Sequence, residues 1–465
     1  MPQARAPAPI LLWFRQDLRL ADNPALHAAA ASGRPIIPLF ILHEASDGRP
    51  WGAASRWWLD KSLRALASDL EARGSRLILR RGDPAMIVPA LAQEMGAEVV
   101  WNRLYGQSAV ARDSDLKAEL GAKSCNASLL IEPWALKSGS GQAYQVFTPF
   151  WRAAKAVIVD EPLYQAPRRL AAPQHWPESD DLDHWSLHPA GPDWSGDFEG
   201  KPGEAGAHAT LSRFVQAHLA DYPATRDRPD LAGVSRLASH LHWGEIGPRQ
   251  VRAAALDAAR DGLAPAGAAD KFLAEIGWRE FNHHLLYQHG ALHRRNIRRE
   301  FDAMPWRDDK AGLDAWKQGR TGYPLVDAGM RQLWATGFMH NRVRMVVASF
   351  LIKHLLIDWR EGEAWFWDCL TDADEANNPA NWQWSAGCGA DAAPFFRVFN
   401  PTVQGERFDP DGAYVRRWVP ELRGLPGKVI HRAGAVEARG YPKPIVVHEV
   451  ARARALDAFQ AMRAS

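Results

Sequence analysis

The chain has 465 residues, 46% of them apolar and 24% charged, with a net charge of +2 and three cysteines. That length exceeds what one hydrophobic core usually serves, so two domains are expected, in a composition ordinary for a soluble globular protein. No apolar run approaches a membrane span, and Cys125, Cys369 and Cys388 form neither a CxxC pair nor a disulfide framework. Three thiols are too few for an iron–sulfur cluster, no metal site is expected, and the cysteine usage suits a reducing cytoplasm.

The N-terminal MPQARAPAP lacks the apolar core of a signal peptide and reads as a short disordered lead. Apolar, β-rich runs follow at Ile10–Phe14, Pro35–Leu42, Arg76–Arg80, Glu98–Asn102 and Ser128–Ile131. Helical patterns lie between them, notably Ala54–Arg73 and Met86–Met95. Five strands joined by helices predict a parallel, doubly wound sheet. No GxGxxG follows the first strand, where WFRQDLRLADNPAL stands instead, and the Gly139–Gly141 stretch is only a loop.

Between 133 and 206 the pattern loosens into Pro, Gly, Asp and Ser, which reads as an inter-domain connector ordered in part by Trp176, Trp185 and Trp194. From 207 onward the periodic segments are helical: Ala209–Ala220, Val234–Leu241, Pro248–Ala259, Ala268–His289, Leu325–Ala335, His340–Trp359 and Ala451–Arg463. The basic residues of this half, including the run His293–Glu300, suit a solvated face or an anionic partner. The chain carries 21 tryptophans against 8 tyrosines; indole serves packing, base stacking and electron hopping, and composition does not choose among them.

Three helical segments and one mixed stretch carry chemistry. In GVSRLASHLHW, Gly233 and Ser235 mark a helix start, where free N–H groups bind phosphate, with Arg236 adding charge. In KFLAEIGWREFNHHLLYQ, Glu275, Trp278, Arg279 and Asn282 fall on one side of a helix. In MHNRVRMVVASFLIKHLLIDW, Asn341, Arg344, Met345 and Ala348 share one stripe of a helix apolar nearly all round; a buried arginine there needs a partner. The stretch Asp358–Asp409 then combines five tryptophans, three asparagines within Asn377–Asn381 and the acids Asp372 and Asp374. Buried amides and carboxylates need partners, so this mixture predicts a polar, aromatic-lined cavity for a large planar ligand.

WFRQDLRLxDNPAL, E-x-x-W-R-E-F, GRTGYPLVDAGMRQL, D-x-D-x-x-x-N-N-x-x-x-W-x-W and F-R-x-F-N-P together resemble the photolyase/cryptochrome family over nearly the whole chain. The resemblance implies an α/β antenna domain at 1–132, a connector at 133–206 and an all-helical catalytic domain at 207–465 that binds FAD and DNA. It implies a monomeric deoxyribodipyrimidine photolyase that uses non-covalent, reduced FAD and blue light to split cyclobutane pyrimidine dimers in UV-damaged DNA. Tyr222, Val234, Ser235, Arg236, Leu237, Ala238, Phe272, Arg279, Asn282, Arg344, Asp372, Asp374 and Asn378 match flavin-site positions. The family's Thr-Ser-Arg-Leu-Ser reads Val234–Ala238 here, so two hydroxyls are missing. Arg344 is expected to pair with Asp372, and Asn378 to face flavin N5. Glu275, Asn341 and Met345 would contact the dimer, with Trp278 and Trp384 packing against it. Arg342, Arg397 and Gln404 would position the DNA. Trp382, Trp359 and Trp306 match an electron-transfer chain.

Two relatives and one outsider compete with this reading. A (6-4) photolyase usually carries a histidine pair around the Asn341 and Met345 positions. A cryptochrome would signal on the same fold, often with a C-terminal tail or altered lesion contacts. An unrelated flavin oxidoreductase would need a nicotinamide site, and none is identifiable. The antenna chromophore expected is methenyltetrahydrofolate. In Gln107–Asp113 the glutamate with which one large bacterial branch of the family contacts folate is replaced by Ala109, which leaves room for another pose, a deazaflavin or none.

Overall fold

The computed structural model describes residues 7–44, 49–139, 141–188, 191, 193–432 and 440–464. Ser140 of the Gly139–Gly141 loop and residues 1–6 of the N-terminal lead lie outside the described residues.

The N-terminal half is built on β1 (Ile10–Phe14), β2 (Ile36–Leu42), β3 (Ile78–Arg81), β4 (Glu98–Asn102) and β5 (Lys123–Cys125), all parallel, in the order β3-β2-β1-β4-β5. Every residue of β1 and β2 is buried, which is why these strands read as continuous apolar runs. The layers around them are α1 (Pro24–Ala31), α2 (Ala53–Glu71), α3 (Pro84–Met95) and α4 (Gln107–Leu120). Asn23 and Asp83 cap α1 and α3, each followed by proline at the first helical position.

The fifth strand is not where the apolar run Ser128–Ile131 places it. The sheet closes on the short, partly exposed β5. Residues 128–131 instead satisfy their backbone across the domain junction: the Leu130 and Ile131 N–H groups donate to Glu280, and Ser128 O accepts from Arg279. An apolar run needs backbone partners, and a sheet is only one source of them.

The remainder is helical: α5 (Phe147–Val157), α6 (Glu204–Ala217), α7 (Tyr222–Thr225), α8 (Ala238–Trp243), α9 (Pro248–Arg260), α10 (Ala266–His289), α11 (Lys310–Lys317), α12 (Pro324–Thr336), α13 (Asn341–Ser349), α14 (Trp359–Cys369), α15 (Asn377–Ala386), α16 (Pro401–Phe408), α17 (Ala413–Trp418), α18 (Gly427–Ile430) and α19 (His448–Ala464). The connector thus contains a helix, α5, whose Phe150 packs on Phe281 of α10.

Two helical expectations need correction. The segment His340–Trp359 is not one helix: α13 passes into a π-helical turn at Phe350–His354, Leu356 adopts φ 55°, and Asp358 caps a new helix, α14. A leucine in the left-handed region breaks the ladder, and the aspartate restarts it. The helix expected at Val234–Leu241 begins only at Ala238, because Arg236 sits at φ 57°.

Glu245, fully buried, joins the two halves. It accepts from Trp58 Nε1 (3.1 Å) and Ser62 Oγ of α2, from the Gly203 N–H (2.6 Å), and meets His240 of α8. Among the described residues no helix is long and apolar enough to cross a membrane.

Candidate flavin and DNA-lesion site

α13 delivers the centre of the site. Arg344 Nη2 lies 3.1 and 2.9 Å from the two oxygens of Asp372, and its Nε donates to Met339 O. His340 caps the helix by accepting the Arg342 N–H at Nδ1, which leaves Nε2 as the donor, buried and without a partner among the described residues. Burial pushes this imidazole down to about 4, and Arg236, Arg342 and Arg344 nearby add to the effect against Asp227. Arg236 stands 3.8 Å over the Phe338 ring and pairs with Glu199.

The phosphate-holding helix start expected at Gly233–Ser235 is absent, since residues 234–237 precede the helix. Ser235 Oγ accepts the Leu237 N–H at 3.4 Å, its one hydrogen bond among the described residues. Anion binding there would rest on the Ser235 and Arg236 side chains. Leu237 is buried, Val234 half-buried and Ala238 exposed.

α15 supplies the amides. Asp374 accepts from the Ala376 and Asn377 N–H groups and from Asn377 Nδ2, fixing the start of this helix. Burial pushes the Asp374 carboxyl up, but His283, His242 and Arg279 outweigh it and hold it below the usual carboxylate range. Asn282 of α10 donates to Asn377 Oδ1 at 2.9 Å. Asn378 Nδ2 donates to Glu363 Oε1 at 2.8 Å and to Glu363 O at 3.1 Å.

Trp382, one turn further, lies against Phe366 and Trp316 at ring centroids of 5.0 and 6.1 Å. A Cβ on Gly362 would run into its ring. Trp359, three residues before that glycine on α14, is fully buried and donates its indole N–H to Asn296 at 2.9 Å. Trp306 is half-buried, in a loop whose Arg307 N–H bonds Leu356 O. Two of the three are therefore buried and the third is partly exposed.

Two of the residues expected at the lesion, Glu275 and Arg342, are linked through charge. Glu275 pairs with Arg226, Arg226 with Asp227 (3.8 Å), and Asp227 with Arg342 (2.9 Å). This chain ties α10 to the start of α13, where Asn341 is exposed and Met345 half-buried. Trp278 has one face occupied: Phe147 of α5 stacks on it at 3.9 Å and 9°. Trp384 and Gln404 are half-buried and Arg397 is exposed.

Other residues fall elsewhere. Phe272 and Tyr222 pack edge to face at 5.5 Å in an apolar cluster with Phe214. Arg279 turns to the domain junction, where with His242, His283 and Asp374 it lines a partly open cavity facing Trp13 and Arg112. Ala109 lines the same cavity.

Sequence reasoning missed several members. Glu363 and Phe147 gave no local signal, because Arg49 and Trp278 lie far away in sequence, and His340 reads locally as an ordinary helix cap. Gln383, fully buried, bonds Leu292 O, Arg295 O and the Ile297 N–H and so anchors the basic segment beside the site; its place two residues from Asn381 was the available hint.

The arrangement fits a flavin. An orphaned imidazole donor among guanidinium groups suits an anionic ligand, and an amide whose Oδ1 has no partner among the described residues suits a heterocycle edge. Residues 272–461 match the family model described as the FAD binding domain of DNA photolyase, and residues 10–170 match the DNA photolyase model. The deoxyribodipyrimidine photo-lyase of Agrobacterium fabrum is 50% identical, with 98% of each chain covered. Cryptochrome-1 of Arabidopsis thaliana is 36% identical over 97% of this chain and 70% of that protein. A crystal structure of a bacterial class III photolyase from Agrobacterium tumefaciens superposes with a TM-score of 0.96 at 47% identity, covering 100% of both chains. With relatives this similar along its whole length, the chain belongs to the photolyase/cryptochrome family.

Proposed function

We propose that this protein is a deoxyribodipyrimidine photolyase, repairing cyclobutane pyrimidine dimers in DNA under blue light. The observation that carries the reading is the ion network Glu275–Arg226–Asp227–Arg342. It ties α10, which carries Glu275, to α13, the helix that also carries Arg344. Arg344, Asp372, Asn378, Arg236 and Ser235 would hold FAD, with His340 offering a further donor. When bound and reduced, FAD supplies the excited electron that opens the cyclobutane ring and receives it back.

The side chains hold the substrate. Glu275 accepts hydrogen bonds from the flipped dimer's edges, Asn341 adds an amide, and Met345 lines the pocket. Trp278 offers its remaining face and Trp384 a second stacking surface. Arg342, Arg397 and Gln404 engage the DNA backbone and set the register without reading sequence. The cavity between the domains, lined by Ala109 and Arg112 of the antenna-matching segment, supports a light-harvesting chromophore, for which we propose methenyltetrahydrofolate. The protein acts as a monomer in the cytoplasm in this reading, with residues 1–132, 133–206 and 207–465 as antenna domain, connector and catalytic domain.

The test is repair of a thymine-dimer oligonucleotide under blue light, with purified chromophores extracted and identified. Light-dependent loss of the dimer is expected. Damaged-DNA binding and flavin photochemistry without repair would favour the cryptochrome reading.

A further inference from the structure

The segment entering α2 from the sheet is fastened to α14. Trp367 Nε1 donates to Pro50 O at 2.9 Å, the Ala53 N–H to Asp368 at 2.9 Å, and Ser55 Oγ to Leu370 O at 3.1 Å. Trp51 stacks on Trp367 at 5.6 Å and 12°, and a Cβ on Gly52 would run into Trp367 O. These contacts place Arg49. Its guanidinium lies 4.1 Å over the Trp367 ring, with Nη1 and Nη2 at 2.9 and 2.7 Å from the two oxygens of Glu363.

Glu363, with its side chain 3% exposed, is the residue that holds the Asn378 amide. Its backbone carbonyl can only accept a hydrogen bond, and a carboxylate clamped by a guanidinium can only accept too. Both neighbours therefore face the Asn378 NH2 group and leave Oδ1 for a ligand.

We propose that Arg49, contributed by the α/β half, is a positioning residue for the flavin site: by clamping Glu363 it presents the Asn378 carbonyl oxygen to flavin N5. This rests on the reading that Asn378 faces N5. Reduced flavin carries a hydrogen on N5, whereas oxidised flavin offers a lone pair there, so a fixed acceptor favours the reduced cofactor. Burial pushes the Glu363 carboxyl up, and Arg49 opposes that rise. Without Arg49 the carboxyl takes a proton more readily, becomes a donor, and releases the amide to turn.

The experiment measures the midpoint reduction potential of bound FAD in wild type, Arg49→Met, Arg49→Lys, Glu363→Gln, Arg49→Met/Glu363→Gln and Asn378→Ala. Arg49→Met should weaken the preference for reduced flavin about tenfold, which is about 30 mV for a two-electron couple. Arg49→Lys should give part of that fall and serves if the methionine variant does not fold. In the Glu363→Gln background the Arg49 change should add nothing, because its route is gone. A lower melting temperature with an unchanged potential in the Arg49 variants would overturn the inference and leave a purely structural clamp. An unchanged potential in Asn378→Ala would instead remove the N5 reading beneath it.

Discussion

Arg344 Nη2 meets both oxygens of Asp372, at 3.1 and 2.9 Å, but the arginine side chain keeps 25% of its surface in solvent while the aspartate keeps 7%. The pair is therefore half-buried, and breaking it costs less than the 3–5 kcal/mol of a fully buried pair. Asp372→Ala should destabilise the apoprotein by about 1–3 kcal/mol, because Arg344 retains water on one side. Its larger effect should fall on cofactor retention, since Arg344 loses its fixed direction. Flavin absorbance per protein after gel filtration checks this, and full occupancy in the variant would remove the pair from the flavin site.

Glu275 and Trp278 separate lesion binding from cofactor binding. Glu275→Ala leaves Arg226 with Asp227 as its remaining acid, and neither residue belongs to the Arg344–Asp372 pair. Both Glu275→Ala and Trp278→Ala should keep FAD and repair poorly. The tryptophan change should also weaken damaged-DNA binding by about 1–3 kcal/mol, the value of one stacking surface. It additionally exposes the Phe147 ring, so a modest loss of stability is expected with it. Equal affinity of wild type and Trp278→Ala for a dimer-containing duplex would end the stacking role.

Much of this was legible from local pattern. β1 and β4 begin and end where the apolar runs do, and α9, α10 and α12 follow their helical period within two residues. The Arg344–Asp372 pair was also reachable, because an arginine in an apolar helix needs an anion and the family motif names one. The fifth strand was not, since Ser128–Ile131 satisfies its backbone on Glu280 and Arg279, some 150 residues away. Nor was the break at Leu356, whose left-handed conformation contradicts its propensity. Glu363 and Arg49 meet only through the docking of two domains, 314 positions apart. Such pairs leave no periodic trace in a single sequence.

Lys353 gives a pH prediction. It lies in the π-helical turn, 2% exposed, and donates to Arg397 O at 3.0 Å. Burial pushes its ammonium down from an ordinary value near 10.5 to about 7, with Arg397 adding repulsion. The folded state thus disfavours the charged form. Above pH 10.5 the amine is neutral in both states and carries no penalty. As pH falls toward 7 the unfolded chain takes up a proton and the folded chain does not, so stability is lost across that window. Lys353→Met removes this term at the cost of one hydrogen bond, about 1 kcal/mol. Relative to wild type, the variant should therefore be favoured near pH 7 and lose that advantage by a few kcal/mol toward pH 10.5. Melting temperatures of both proteins across this range check it, and a pH-independent difference would mean that Lys353 keeps its charge throughout.

The tryptophans can be asked whether they conduct or only pack. Trp382 sits on Phe366 and Trp316 inside the core, Trp359 is buried on the neighbouring helix, and Trp306 reaches the surface. Indole is among the side chains most easily oxidised. Trp382 would donate to excited oxidised flavin, Trp359 would refill Trp382, and Trp306 would pass the vacancy to an external reductant. Trp382→Phe keeps a ring in the same slot against Gly362, so the fold should lose about 1–3 kcal/mol at most. It removes the first station. The variant should resist light-driven reduction of its bound flavin, yet repair dimers normally once that flavin is reduced with dithionite, because the repair electron does not travel through this chain. Flavin absorbance under blue light with added thiol gives the first half, and a repair assay after chemical reduction gives the second. Photoreduction at the wild-type rate would assign the conduit to other residues, with Trp316 beside Trp382 the nearest candidate. Slow photoreduction together with failed repair after dithionite would instead place Trp382 in lesion binding or in the packing that shapes the site.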